Sequence, residues 1–352
     1  MINFLKEFIL SQPLKMITYA EYMEVALYHN EHGYYMREKE KIGRKGDFIT
    51  SSNISDFYGK SIAKWYFKQM NEWKLAPAIC EIGAGTGRFA KAFIEEWNRL
   101  SPVPIHYYIL EASPYHRKVQ QEILSFNDYV KQIEDLEEIH PFEGLIFSNE
   151  LFDALPVHVI ENHNGQLVEL MIGLNDDQLV EIPVPLENEK IMTFMKSSGL
   201  KLKNNQRIEI PLLMEEVISS IAHTLSKGLV LTVDYGYTNE EWLERRGGSL
   251  RGYYQHQQFN DVLVYPGEMD MTSHVHFDSL IRIGNQLGLD FQQKWRQDEF
   301  LLTTGLLEEL QNHYDPDPFS EVSKKNRAIR SLIMPSGISG SFHVILQKKG
   351  ME

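Results

Sequence analysis

The sequence predicts an α/β fold built on a parallel sheet with helices on both faces, and three observations carry that prediction. From Pro77 onward, short apolar runs alternate with segments of helical period. A glycine-rich turn, Glu81-Ile82-Gly83-Ala84-Gly85-Thr86-Gly87, joins the first of those runs to an amphipathic helix. Acidic residues then recur where later strands end, and an open parallel sheet gathers its ligands at those ends. With 352 residues and 43% hydrophobic composition the chain can bury a sizeable core, and its length suits one large decorated domain better than two small ones.

Residues 1 to 30 read as helical, with Phe4, Leu5, Phe8 and Ile9 on one face, followed by Tyr19, Tyr22, Met23, Ala26 and Leu27. Thr18 and Glu21 supply a T-x-x-E capping box for the second of these helices. A glycine-punctuated stretch from Gly33-Tyr34-Tyr35 through Gly43 to Gly46-Asp47-Phe48-Ile49-Thr50-Ser51-Ser52 precedes a helix containing Ile62, Trp65, Tyr66 and Met70, and is a candidate lid. Residues 77 to 82 form the first buried strand, and Phe89, Ala90, Phe93, Ile94 and Trp97 mark the helix after the glycines. His106 to Leu110 is the second strand, and Ser113 and Pro114 cap a helix running to about Leu124. The third strand lies near Tyr129 to Ile133, and the fourth, Gly144 to Phe147, opens into Ser148 to Pro156. Val157 to Glu161, Gln166 to Leu174 and Gln178 to Val184 then read as an inserted antiparallel meander. The alternation resumes with a helix at Leu212 to Leu225 and a fifth strand at Gly228 to Asp234. A long loop reaches His276, a helix spans Phe277 to Leu287, and terminal strands fall near Phe291 and at Phe342 to Gln347.

The glycine spacing is informative. A dinucleotide fold uses G-x-G-x-x-G, whereas here the pattern is E-x-G-x-G-x-G and Arg88 stands at the third glycine of the dinucleotide spacing. Missing Cβ atoms let the backbone approach a ligand, and Glu81 at the strand end suits a ligand ammonium. S-adenosylmethionine carries an ammonium and a sulfonium, and a tight turn without ligand is the plain alternative. Glu111 follows Gly87 at the spacing where an acid accepts both ribose hydroxyls. Asp135 is a candidate for the adenine amino group, and an ordinary solvated acidic face around Glu134 to Glu138 explains it equally well.

Chemistry is expected at Asn149-Glu150-Leu151-Phe152-Asp153, where Asn149 borders the cofactor and Glu150 and Asp153 can grip a cationic acceptor. Arginine poses a specific problem, because a guanidinium stays protonated and its charge must be held on some nitrogens so that another can attack. Paired carboxylates do that through bidentate hydrogen bonds. The alternative is that Asp153 caps a turn and Glu150 is solvated. Base methylation is disfavoured, since Glu150 and Leu151 replace the prolines of an N-P-P-Y loop. Tyr34, Tyr35, Tyr235 and Tyr237 keep lysine open as an acceptor. Asp234, with Tyr235 and Tyr237, ends the fifth strand near the same edge, and Leu250 to Tyr254 and Tyr265 to Thr272 are candidate pocket walls.

Composition narrows the partners. A formal net charge of −14 opposes a nucleic-acid backbone and favours a basic peptide. The single cysteine, Cys80, lies in the apolar first strand and supports neither a disulfide nor a cysteine-based zinc cluster. His256, His274 and His276 do not supply a third fixed ligand, so no metal is expected. No run approaches the roughly 18 apolar residues of a membrane span, and Met1 to Leu10 reads as neither secretory signal nor transit peptide. Cytoplasm is the default expectation.

Taken together, these blocks resemble the MidA family of S-adenosylmethionine-dependent methyltransferases, whose mitochondrial members methylate an arginine of a respiratory complex I subunit during assembly. The resemblance rests on Gly33-Tyr34-Tyr35, Gly46 to Ser51, Glu81 to Gly87, Leu110 to Pro114, Asn149 to Val159, Asp234-Tyr235-Gly236, Arg251-Gly252-Tyr253 and Pro266 to Thr272. It covers about Thr18 to His276 and extends toward the end of the chain. It implies a class I Rossmann-like fold with a seven-stranded, mostly parallel sheet and an antiparallel last strand. Around that sheet it implies an N-terminal helical lid region at residues 1–75 and a methyltransferase domain at 76–352, with insertions at about 157–211 and 235–276. It also implies S-adenosyl-L-methionine as cofactor, S-adenosyl-L-homocysteine as product and a protein substrate such as a respiratory-complex subunit. The chain departs from the family at Ser51-Ser52-Asn53, where relatives carry Ser-Pro-Glu, and at Ala84 and Thr86, where they often carry Pro and Arg. A noncatalytic assembly factor that binds the cofactor or none and holds a partner protein through its long loops, and a small-molecule methyltransferase, are the rival readings.

Overall fold

The structure is a computed structural model that describes residues 1–38, 56–310, 317, 319–334 and 341–351. The expected lid block from Gly43 through Gly46 to Asn53 lies outside them. The chain forms two compact units: Met1–Phe48, Phe152–Ile218 and Gly236–Ile283 make one, and Ile49–Leu151, Ser219–Tyr235 and Gly284–Glu352 make the other.

The second of these contains the predicted sheet. Its strands are β1 Ala78–Ile82, β2 His106–Leu110, β3 Val130–Ile133, β4 Phe142–Asn149, β5 Leu225–Tyr237, β6 Asp290–Arg296 and β7 Phe342–Lys349. They lie in the order β3-β2-β1-β4-β5-β7-β6. Every pairing from β3 to β5 is parallel, and β7 runs antiparallel to both β5 and β6. The strand order reverses between β1 and β4, which is the switch point where such sheets hold ligands. β1 is buried at every position, as a central strand with both faces covered must be, and Cys80 is buried within it.

Helix Phe57–Trp73 packs on helix Arg88–Leu100. Phe89 stacks on Phe147 of β4 with ring centroids 4.4 Å apart, and Phe93 stacks on Trp97. These rings fasten the helix that follows the glycine turn to the sheet, since offset aromatic pairs add to the burial of their apolar area. The helix of Ser113 and Pro114 spans Pro114–Ile123, with the Ser113 side chain accepting from the His116 N–H. Two helices near the C-terminus, Gln297–Thr303 and Glu321–Ile333, are not anticipated from the sequence.

In the other unit, helices Ile2–Ser11 and Tyr19–Tyr28 flank a short strand, Met16–Thr18. The predicted capping box forms: the Glu21 N–H donates to Thr18 Oγ1 at 3.1 Å, and the Thr18 N–H donates to Glu21 Oε2 at 2.7 Å. Met16–Thr18 pairs antiparallel with Gln166–Asn175, the centre of the meander, which also pairs with His158–His163 and Gln178–Pro185. Strand Arg207–Ile210 completes this sheet and helix Glu189–Ser198 precedes it; both are additions to the sequence reading. Leu5, Ile9, Tyr22, Met23 and Leu27 pack with Val159, Leu170 and Ile172 in one core cluster.

The segment expected as a long loop to His276 is more ordered than that. It holds helix Asn239–Glu244, a three-stranded sheet of Gln257–Phe259, Arg251–Tyr254 and Asp270–Thr272, and strand Val275–His276 beside Gly236–Tyr237. Strands of two to four residues are too short to display a twofold alternation. β5 likewise continues past Asp234 to Tyr237, so Asp234 lies inside the strand rather than at its end.

Candidate functional site

β1 ends at Ile82 and the chain turns through Gly83, Gly85 and Gly87 at φ values of 74°, 52° and 79°. All three lie in the left-handed region that glycine enters without steric cost. Gly87 is the N-cap of helix Arg88–Leu100, and a Cβ there would sit 2.9 Å from Gln120 Cγ. The turn is also tied down through polar contacts. The Gly85 N–H donates to Glu111 Oε2 at 2.7 Å, and Gln120 Nε2 donates to the Gly85 carbonyl at 2.7 Å. The other Glu111 oxygen accepts the Ser113 N–H at 2.8 Å. An ionised carboxylate has about four acceptor positions, so Glu111 orders the turn and retains capacity for hydroxyl donors.

Glu81 is 4% exposed and accepts a 2.6 Å hydrogen bond from the Tyr107 hydroxyl. Burial pushes its carboxyl up to about 8; the Tyr107 bond opposes that shift and Glu111 adds to it. Near neutral pH it is therefore largely protonated, and a ligand cation would favour its ionised form.

At the neighbouring strand ends, Asn149 accepts from the Tyr58 hydroxyl at 3.0 Å and donates to Glu150 Oε1 at 3.0 Å. Glu150 takes a φ of 54°, unusual for a residue with a side chain, and its N–H donates to the Val233 carbonyl of β5 at 2.9 Å. Val233 pairs with Asn149, which places Asp234 on β5 level with Glu150. The Asp234 side chain is fully buried and accepts the Tyr235 N–H at 2.9 Å. A Cβ on Gly83 would contact Leu151 at 3.3 Å, so the glycine turn lies against the loop that carries Glu150. Glu81, the three glycines, Glu111, Asn149, Glu150 and Asp234 thus gather along one edge of one sheet.

Two candidates are placed differently. Asp135 is exposed and caps the 3₁₀ turn Leu136–Ile139, accepting the Glu137 N–H at 2.9 Å, so the acidic run is a capped turn as well as a solvated face. Asp153 belongs to the other unit, where its carbonyl accepts the Ser273 N–H at 2.8 Å. Its buried side chain adds to the fields that raise the Tyr35 and Tyr253 phenols, whose first cause is burial; Asp270, hydrogen bonded to Tyr35, adds to both. His274 stacks on Tyr237, and His276 Nε2 lies 2.7 Å from the Glu209 carbonyl.

Tyr58, Tyr107 and Gln120 are the site residues that sequence reasoning misses. Tyr107 pairs with Ile79 and so shares the face of Glu81, a relation that becomes visible only once strand register is known. Gln120 is the lone fully buried polar residue of its helix apart from the nearly buried His116, and no local pattern marks it.

Positive-φ glycines, a buried carboxyl that a cation would ionise and an acid beside the turn fit a ligand carrying an ammonium and ribose hydroxyls. A model of the family described as "Putative S-adenosyl-L-methionine-dependent methyltransferase" matches residues 61–294. The chain belongs to the MidA family of S-adenosyl-L-methionine-dependent methyltransferases. Among solved structures it is similar to a COG1565 superfamily member from Burkholderia thailandensis bound to S-adenosyl-homocysteine. That match has a TM-score of 0.90 and 25% identity, and covers 100% of this chain and 92% of the other. A native structure of a COG1565 superfamily protein from the same organism matches with a TM-score of 0.86 and 25% identity over 100% and 92% of the two chains. Curated relatives include the mitochondrial protein arginine methyltransferase NDUFAF7 homolog of Drosophila melanogaster, 27% identical over 77% of this chain and 67% of that protein. The Mus musculus NDUFAF7 is 26% identical over 76% and 66%. The chain spans about two thirds of the length of these relatives. S-adenosyl-L-methionine is the cofactor of this MidA-family methyltransferase. Among the described residues no helix is long and apolar enough to cross a membrane.

Proposed function

We propose that this MidA-family enzyme methylates an arginine side chain of a protein, with a respiratory-complex subunit as the first candidate acceptor. The observation that carries the reading is Glu150. It is a carboxylate held at left-handed φ at the end of β4, fixed by Asn149, and carried on a loop that touches the glycine turn. The printed names of the mitochondrial relatives, protein arginine methyltransferases, support the same acceptor.

In this reading Gly83, Gly85 and Gly87 admit the cofactor, Glu81 faces its amino-acid end, Glu111 takes the ribose, Asn149 borders it and Asp135 serves the adenine. S-adenosylmethionine supplies an electrophilic methyl group and leaves as S-adenosylhomocysteine. Glu150 holds the guanidinium through bidentate hydrogen bonds that keep its charge on the bonded nitrogens, leaving the remaining nitrogen electron-rich for in-line attack. Asp234 is a weaker candidate for orienting the acceptor.

The test is transfer of labelled methyl from S-adenosylmethionine into cell lysate, followed by mass spectrometry of the labelled species. Label in methylarginine of a protein, reduced at least about a hundredfold in Glu150→Gln as for lost transition-state hydrogen bonding, is the expected result. Counts confined to metabolites would replace the protein acceptor by a small molecule. Titration calorimetry with S-adenosylmethionine tests the cofactor site, with binding by wild type and none by Gly85→Val expected; binding without any labelled product in the lysate fits the noncatalytic rival, and no binding by wild type sinks the enzyme.

A further inference from the structure

Tyr19, Arg207, Gly247, Gly248, Ser249, Leu250, Arg251, Gln258, Asn260 and Val262 surround a cavity of about 370 Å³, all within the unit that carries the meander. Two guanidinium groups and no carboxylate line it, in a chain whose acids outnumber its bases by 49 to 35. We propose that this cavity is a binding site for an oxyanion, a carboxylate or phosphate group, independent of the acceptor assigned above.

The two arginines are placed differently. Arg207 gives both terminal nitrogens to Glu181, at 3.1 and 2.6 Å, and lies over the Tyr19 ring, so it is a neutralised and rigid wall. Arg251 is half-buried, donates Nε–H to the Ser249 carbonyl at 2.9 Å and hydrogen-bonds the Tyr253 side chain. It takes part in none of the ion pairs within 4.0 Å among the described residues, whereas Arg207 does. A guanidinium presents five N–H donors in a planar fork, so Arg251 has donors left for a planar anion.

The rest of the wall is held in place. Glu209, buried behind it, accepts both the Ser249 N–H at 2.8 Å and the Ser249 hydroxyl at 2.7 Å. Gly248 sits at a φ of 70° directly against Glu209, where a Cβ would be 2.4 Å from Oε1. The backbone from Gly247 to Arg251 is thereby pinned around the mouth of the cavity. Gln258 and Asn260 lie at its exposed rim, and their amides can donate to the same anion.

The experiment is titration calorimetry of the full chain with inorganic phosphate, with an acetylated and amidated Gly-Gly-Asp-Gly-Gly peptide, and with the Asn counterpart of that peptide. Wild type is expected to bind phosphate or the Asp peptide, more weakly as salt is raised, and to ignore the Asn peptide. Binding of the Asp peptide marks an acidic side chain of a partner as the source of the anion, and binding of phosphate alone marks a free small anion. Arg251→Gln and Asn260→Asp are each expected to weaken binding at least about tenfold, the scale of a lost charge-assisted hydrogen bond. Asn260→Asp does so from an exposed position without removing a buried group, and should keep the wild-type affinity for S-adenosylmethionine. Absence of binding by wild type, or binding that survives both substitutions, overturns the proposal.

Discussion

Glu81 is a carboxyl group kept where its charge is costly. Burial raises it from 4.5 to about 8, so the folded chain holds a proton there that the unfolded chain releases at lower pH. The stability that this difference contributes is fully present below the unfolded value and is lost as pH rises through about 8. Without cofactor, the melting temperature is therefore expected to fall between about pH 5 and 8, and Glu81→Gln, which has no proton to lose, should flatten that slope. Thermal melts across this range check it; an unchanged slope in the variant would assign the effect to other groups. Binding of the ammonium-bearing cofactor should favour the ionised form and release a proton near pH 7. Calorimetry in two buffers of different ionisation enthalpy reads that release directly. Tyr107→Phe, which removes the hydroxyl that helps hold the charge, should raise the Glu81 value further and weaken cofactor binding below neutral pH.

At the scale of single elements, the glycine turn and the helix it starts act together. Gly87→Ala puts a Cβ 2.9 Å from Gln120 and asks alanine for a left-handed φ, which costs about 1–2 kcal/mol by conformation alone. The expected outcome is lower stability together with loss of cofactor affinity. Thr18→Ala is its counterpart: loss of the capping box should cost about 1 kcal/mol while leaving affinity for S-adenosylmethionine within twofold. Denaturant melts paired with calorimetry check both, and a Gly87→Ala protein with unaltered affinity would remove the turn from the cofactor site. The strands of the parallel sheet and the helices between its first strands were legible in the sequence because apolar runs alternate there with segments of helical period, and because Ser113 and the glycines mark boundaries with specific chemistry. Met16–Thr18, Arg207–Ile210 and the small sheet around Arg251 were not, since these short strands stand outside that alternation and take their identity from a partner and not from a pattern of their own. The site divides the same way. Glu81, Glu111 and Asn149 could be read from position along the chain, whereas Tyr58, Tyr107 and Gln120 act across it, and Asp135 and Asp153 have local partners that spacing does not reveal.

For the whole molecule, the charge balance of −14 bears on the acceptor. An acidic enzyme attracts a basic protein over distances comparable with the screening length, about 8 Å at physiological salt, and that attraction assists encounter more than final affinity. If the acceptor is an arginine in a basic segment, kcat/KM for the protein substrate should fall several-fold as ionic strength is raised from about 0.01 to 0.15 M, while kcat stays nearly constant. The cofactor is a small ligand bound in a partly buried cradle, so its Kd should move far less over the same range. Steady-state methyl transfer at several salt concentrations, with the cofactor saturating, separates these quantities. A kcat/KM that ignores salt would point to an acceptor recognised without charge, and would weigh toward the small-molecule reading. A kcat that falls in step with kcat/KM would instead place the salt-sensitive contacts in the transition state itself, at the carboxylate proposed to hold the guanidinium.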